Sequence, residues 1–101
     1  MKLLIITSVK QFKKEVKDIL KKADVKTYTY KDATGYRDAN QFSMQDNWFA
    51  QDMNEGASIL FYAIVKKENV DLVFELVTAF NEEQETLSSI HVAVTNIERT
   101  I

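Results

Sequence analysis

The chain has 101 residues, which is enough for one small domain and excludes a second. With 46% apolar and 28% charged residues, its composition is that of a folded soluble protein. The absence of cysteine excludes thiol catalysis, disulfide bonds and cysteine-ligated zinc, and the single histidine excludes a two-histidine metal site within one chain.

The net charge of −2 is unevenly distributed. Residues 1–31 carry nine lysines and three acidic residues, a net charge of +6, whereas residues 32–101 carry four basic and twelve acidic residues, a net charge of −8. Six of the lysines fall on the polar side of one predicted helix: Lys10, Lys13, Lys14, Lys17, Lys21 and Lys22. We interpret them as a solvated helix face; the alternative is an electrostatic patch for nucleic acid or an anionic membrane surface.

Apolar periodicity predicts six elements of secondary structure. Residues 2–7 are apolar without alternation, as in a strand buried on both faces, and residues 57–65 have the same pattern. Ser8 and Gln11 have the spacing of a capping box and precede a helical apolar stripe. The predicted strands are 2–7, 25–32, 57–65 and 90–95, and the predicted helices are 9–23 and 69–80.

The resulting order, βαββαβ, predicts an α+β fold, the ferredoxin-like sandwich, with an antiparallel sheet and a single domain over residues 1–101. In this topology strands 1 and 3 are central, and these are the two strands without alternation. Two helices cover one face of the sheet only. The other face receives about five large apolar side chains, either Leu3 and Ile5 or Leu4 and Ile6, together with either Leu60, Tyr62 and Ile64 or Ile59, Phe61 and Ala63. We expect this face to be buried by other copies of the chain, most simply in a closed ring.

The only two glycines, Gly35 and Gly56, bracket a long insertion between strands 2 and 3. A connection over residues 36–55 far exceeds the two to five residues or so of an ordinary hairpin. It holds the only tryptophan and two of the three methionines. Aromatic and methionine side chains are typical of partner surfaces, so the loop is predicted to bind a partner or to fold back over its own domain or a neighbouring subunit. The residues concerned are Tyr36, Phe42, Met44, Trp48, Phe49 and Met53.

No paired acid–base constellation is present, so the chain is predicted not to be an enzyme. No apolar run approaches the 18 residues or so of a membrane span, so we expect a cytoplasmic protein without membrane insertion.

The chain resembles the PII-like superfamily of trimeric signalling proteins and the related CutA divalent-cation tolerance proteins. The resemblance lies in the opening MKLLIITSVKQFKKEVKDILKKADVK, in Ala33-Thr34-Gly35-Tyr36-Arg37 where the family's protruding T-loop begins, in KKENVDLVFELVTAF and in SSIHVAVTNIE. It implies a homotrimer whose T-loop-like insertion controls a protein partner, such as a membrane transporter or a metabolic enzyme. It also implies small effectors in the clefts between subunits.

An adenine nucleotide is one effector that the resemblance implies, through Thr29, Gly35 and Arg37 near the loop base. The stretch 81–89 departs from the family because it has three glutamates and neither glycine nor lysine, so it cannot form a glycine-rich phosphate nest. A CutA-like protein that binds a soft metal ion, with His91 as candidate ligand, is an alternative. Another is an RNA-binding module that stacks bases on Tyr28, Tyr30, Tyr62 and Phe61; the missing RNP pattern argues against nucleic acid.

Overall fold

The computed structural model describes residues 1–36 and 55–101. Within these ranges, a short 3-10 helix (Lys10–Phe12) leads into the first α-helix, and the elements follow the predicted order. They are β1 (Lys2–Val9), α1 (Lys13–Lys22), β2 (Thr29–Tyr36), β3 (Glu55–Val65), α2 (Lys67–Glu83) and β4 (His91–Asn96).

The four strands form one sheet in the order β2-β3-β1-β4, and each neighbouring pair is antiparallel. The prediction of an α+β ferredoxin-like sandwich with strands 1 and 3 in the middle is therefore confirmed. Ile6 of β1 shows the register, since it lies opposite Phe61 of β3 on one side and Val92 of β4 on the other. These positions face the two helices.

The core lies between this face of the sheet and the helices. Leu4 and Ile6 of β1 are 1% exposed, and Ile59 and Phe61 of β3 are equally buried. The helices contribute Val16, Ile19, Leu20, Val70, Val73 and Val77. The largest buried side chains thus come from the two central strands, because only these strands have neighbours on both edges and helices above them.

Strand β2 begins four residues later than predicted. After α1, Asp24 takes a left-handed conformation with φ 60°, and the Val25 N–H donates to the Leu20 carbonyl at 2.9 Å. Val25, 6% exposed, therefore packs under the end of the helix instead of joining the sheet. The alternation in 25–32 marked a buried side chain correctly and its secondary structure wrongly.

The predicted capping box at Ser8 is also wrong. Ser8 belongs to β1, is fully buried, and its hydroxyl donates to the Val9 carbonyl at 2.9 Å. A 3-10 turn separates it from α1, whose first turn has no side-chain cap. No helix in residues 1–36 and 55–101 has the length and apolarity needed to cross a membrane.

Candidate functional site

The register decides which apolar residues lie on the face away from the helices. Leu3 lies opposite Ile64, and Ile5 lies opposite Tyr62. Both pairs alternate with core positions, so they point to the other side of the sheet. The members of this surface, which we call the open face, are Leu3, Ile5, Leu60, Tyr62 and Ile64. Five large apolar side chains on this face were expected, and the structure selects this set from the two that the sequence allowed.

The open face is the largest apolar surface that the register defines outside the core. Tyr62 is 47% exposed and Ile64 51% exposed, while the other three members are partly buried by their neighbours. Both flanking strands contribute polar groups to its margins. Lys31 of β2, Leu60, Thr7 and His91 of β4 form one row across the sheet.

His91, the candidate metal ligand, lies exposed at the margin of this row, directly opposite Thr7. The Thr7 Oγ1 is buried and accepts or donates no hydrogen bond. Among the described residues, no group of three or more histidine, cysteine, aspartate or glutamate side chains is placed to hold a metal ion. A soft-metal site at His91 stays a prediction.

The base of the long loop is a pair of glycines. Gly35 and Gly56 are register partners where β2 and β3 end their pairing, and both are buried. Neither has a positive φ, so the position calls for close approach of the backbone and not for a left-handed conformation. Tyr36, the last residue of β2, is 65% exposed. The other predicted loop residues, Arg37, Phe42, Met44, Trp48, Phe49 and Met53, lie outside the described residues.

Thr29 and Gly35, the candidate effector residues that the structure describes, belong to the same strand and the same face of it. Thr29 is the first residue of β2 and lies opposite Tyr62 of the open face. The strand rises by about 3.3 Å per residue, which separates the two positions by about 20 Å. A ligand that contacts both must extend along β2.

The connection from α2 to β4, residues 84–90, is held by side-chain amides. The Ile90 N–H donates to Asn81 Oδ1 at 2.8 Å, and Asn81 Nδ2 donates to the Ile90 carbonyl at 2.9 Å. Gln84 Nε2 donates to the Thr86 carbonyl at 2.8 Å, and the Thr86 N–H donates to Gln84 Oε1 at 2.8 Å. None of these seven residues has a positive φ, so the left-handed residue of a phosphate-binding nest is missing here. Sequence reasoning missed both amides; their signal was an amide side chain in the last turn of a helix without glycine after it.

A second feature that sequence reasoning missed lies on the other side of β2. Tyr30 pairs with Phe61 and therefore faces α1, where the ammonium groups of Lys13 and Lys17 each lie 4.8 Å from its ring centroid. A hydrogen bond from Lys17 and the charges of both lysines lower the pKa of the Tyr30 hydroxyl. The signal available in the sequence was a lysine pair at i, i+4 on a helix followed by an alternating aromatic strand.

This placement removes the surface that an RNA-binding module needs. Phe61 is buried at 1% exposure, and Tyr28 and Tyr30 contact it at 5.8 Å and 5.4 Å between ring centroids, on the side that the helices cover. Of the four aromatic residues in the predicted platform, Tyr62 alone lies on the open face. Bases therefore have no row of rings on which to stack.

Together these features define a class: a small four-stranded ferredoxin-like domain with one apolar face left open and a long insertion between its second and third strands. Solved structures of CPII, a nitrogen regulatory PII-like protein from Thiomonas intermedia K12, are similar to it. The apo form aligns with a TM-score of 0.65 and 26% identity over 95% of this chain and 87% of that chain. The form bound to ADP, AMP and bicarbonate aligns with a TM-score of 0.63 and 24% identity, covering 99% and 94%.

A third structure, CPII bound to ADP, AMP and acetate, aligns with a TM-score of 0.64 and 24% identity, covering 97% of this chain and 88% of that chain. No family model and no curated protein matches the chain. The structural likeness confirms the prediction of a PII-like fold, and on it we assign the chain to the PII-like superfamily. The similar structures are of regulatory proteins, which agrees with a non-enzymatic, PII-like signalling role; a relation to CutA stays a prediction.

Proposed function

We propose that this chain is a PII-like regulatory protein that assembles as a homotrimer and controls a protein partner through loop 36–55, in response to a small effector bound between subunits. The observation that carries the proposal is the combination of an apolar open face with a loop that leaves the same sheet at its edge. One surface is suited to self-association and the other is left to contact something else.

The trimer is supported by the energetics of the open face. Each of its five side chains gains about 1.5–3 kcal/mol when it is fully buried, which in sum is comparable with the stability of a small domain. A closed ring of identical subunits buries the same surface on every copy. A trimer is the ring that membership of the PII-like superfamily implies.

An adenine nucleotide is the proposed effector. The similar structures of CPII hold ADP and AMP, with bicarbonate in one and acetate in the other. Thr29 and Gly35 lie on the face of β2 that would line a cleft between subunits, and Arg37 follows Gly35 by two residues. Because the connection 84–90 lacks a nest and Glu82, Glu83 and Glu85 repel phosphate, we expect affinity to fall as phosphates are added: AMP before ADP, and ADP before ATP.

The proposed partner contact is the loop itself, with the aromatic and methionine residues Tyr36, Phe42, Met44, Trp48, Phe49 and Met53. Such side chains supply large contact areas at low entropic cost. A membrane transporter is one candidate partner, and we expect the encounter to take place in the cytoplasm.

Sedimentation velocity tests the assembly. We expect the unmodified chain to sediment as a trimer at micromolar concentration and Ile5→Glu with Ile64→Glu to sediment as a folded monomer, because carboxylates cannot be buried without a partner. Leu72→Glu is the matched control, since Leu72 is a partly exposed apolar residue of α2 outside the open face, 37% exposed. A monomeric unmodified chain would overturn the proposal.

Calorimetric titration tests the effector and separates it from the metal alternative. We expect heat with AMP and ADP, weaker heat with ATP, and loss of AMP binding in Thr29→Val. Binding of zinc or copper(I) that His91→Ala abolishes, without any response to nucleotides, would favour the CutA-like reading instead. Replacing residues 37–54 by a short linker should leave the trimer intact and abolish capture of the partner; capture unchanged by the deletion would refute the role of the loop.

A further inference from the structure

Two lysines of α1 converge on one tyrosine ring without a counterion. Lys13 and Lys17 are one helical turn apart, and their Nζ atoms each lie 4.8 Å from the ring centroid of Tyr30. Like charges at this spacing repel each other. Within the described residues, the carboxylate nearby, Asp32, is engaged by Lys10 at 3.2 Å, and neither Lys13 nor Lys17 forms an ion pair.

The ring between them is held in place. Tyr30 packs against Phe61 at 5.4 Å and against Tyr28 at 6.3 Å between ring centroids, and Phe61 is part of the buried core. Tyr30 itself remains 40% exposed, on the edge strand of the sheet. The hydroxyl and the two ammonium groups therefore form a fixed, solvent-accessible set of donors.

We propose that Lys13, Lys17 and Tyr30 form a binding site for a phosphoryl group. An anion placed there removes the repulsion between the two ammonium groups and accepts hydrogen bonds from both of them and from the tyrosine hydroxyl. A phosphoryl group, with its charge of about −1.5 to −2 and three acceptor oxygens, matches this set of donors.

Space for the remainder of the ligand adjoins the site. A groove of about 640 Å³ runs from Lys17 past Lys21, Lys26 and Tyr28. Asp18 and Asp24 also line this groove, so its far part is less suited to an anion than the end at Lys17. The phosphoryl group could belong to a soluble phosphate ester or to a lipid headgroup, since the donors would be the same for both.

The site is separate from the proposed effector cleft. Tyr30 faces α1, whereas its neighbour Thr29 lies opposite Tyr62 on the open face. The two sites are on opposite sides of β2, so failure of the trimer or of nucleotide binding leaves this inference standing, and its own failure leaves them standing.

Ring-labelled tyrosine NMR of the full chain provides the test, with inorganic phosphate as the soluble probe. All four tyrosines lie in the described residues, so Tyr28, Tyr36 and Tyr62 act as internal references. We expect a saturable shift of the Tyr30 signals with phosphate and none with an equal ionic strength of chloride. Lys13→Gln with Lys17→Gln should weaken this binding about fivefold or more.

Lys21→Gln with Lys22→Gln is the matched control, because it removes the same charge from the same helix away from the ring. A second arm measures co-sedimentation with vesicles of phosphatidylglycerol and phosphatidylcholine against phosphatidylcholine alone. Vesicle binding that depends on Lys13 and Lys17 without a phosphate shift would identify a lipid headgroup as the source. No saturable response in either arm, or equal losses in both double variants, would overturn the proposal.

Discussion

Gly35 of β2 and Gly56 of β3 face each other as register partners at the last paired positions but one before the long loop. Both are buried, and neither uses the left-handed region that glycine alone enters freely. What the pair supplies is the absence of two Cβ atoms where the backbones approach closely. The loop therefore leaves the sheet from a narrow base.

Substitution at this base is expected to destabilise the domain through overpacking. Gly35→Val places three extra carbon atoms in a buried position and should lower the free energy of unfolding by about 1–3 kcal/mol. The measurement is urea denaturation followed by circular dichroism. Ala33→Val, two residues earlier on the same side of β2 and exposed, should change it by less than about 0.5 kcal/mol. Equal effects at the two positions would refute the role of close approach.

Neighbouring residues of β3 should respond differently to truncation. Phe61→Ala removes a core ring that is 1% exposed and should cost about 3–5 kcal/mol at every protein concentration. Tyr62→Ala removes a side chain of the open face, so its cost should grow with protein concentration as the unmodified chain gains stability from association. Thermal unfolding across a hundredfold range of concentration distinguishes the two. A concentration-independent Tyr62→Ala effect would argue against burial of this face between subunits.

The Asn81 side chain should govern the order of the connection between α2 and β4. Asn81→Ala leaves both the N–H and the carbonyl of Ile90 without their partner, at a residue that is 3% exposed. We expect a loss of about 1–3 kcal/mol in the free energy of unfolding and faster hydrogen exchange at the Ile90 amide. Asn81→Asp keeps the acceptor for the Ile90 N–H and should retain more of its protection. Unchanged exchange in Asn81→Ala would contradict this account.

Tyr30 should ionise before the other three tyrosines. Its folded-state pKa lies below the ordinary value of 10.0, because Lys17 donates a hydrogen bond to the hydroxyl and the charges of Lys13 and Lys17 favour the phenolate. The stabilisation this provides is present above pH 10 or so and is lost as the pH falls through the folded-state pKa. Absorbance at the phenolate band measures the titration of the unmodified chain and of Tyr30→Phe.

Relative to Tyr30→Phe, the unmodified chain should therefore gain stability as the pH rises from the folded-state pKa towards 10. Removing both cations in Lys13→Gln with Lys17→Gln should return the Tyr30 titration to the range of the other tyrosines. A titration insensitive to the two lysines would show that the ring and the ammonium groups do not interact in solution.

Several elements of the fold were predictable because they depend on local pattern. The continuous apolar runs of β1 and β3 identified the two central strands, and the helical stripe with Val70, Val73 and Val77 identified α2, which extends to Lys67–Glu83 beyond the predicted 69–80. The last strand begins at His91 instead of Ile90, since Asn81 holds Ile90 in the connection before it. That bond joins two residues in different elements, so no local window contains it.

The sequence by itself determined the order of elements, the size of the apolar surplus and the position of the long insertion between its two glycines, because periodicity and composition are properties of the chain before it folds. Only the tertiary structure decided which apolar set lies on the open face, since a register shift of one residue exchanges the two faces of a strand. It also decided the convergence of Lys13 and Lys17 on Tyr30, because α1 and β2 meet only when the helix packs across the sheet.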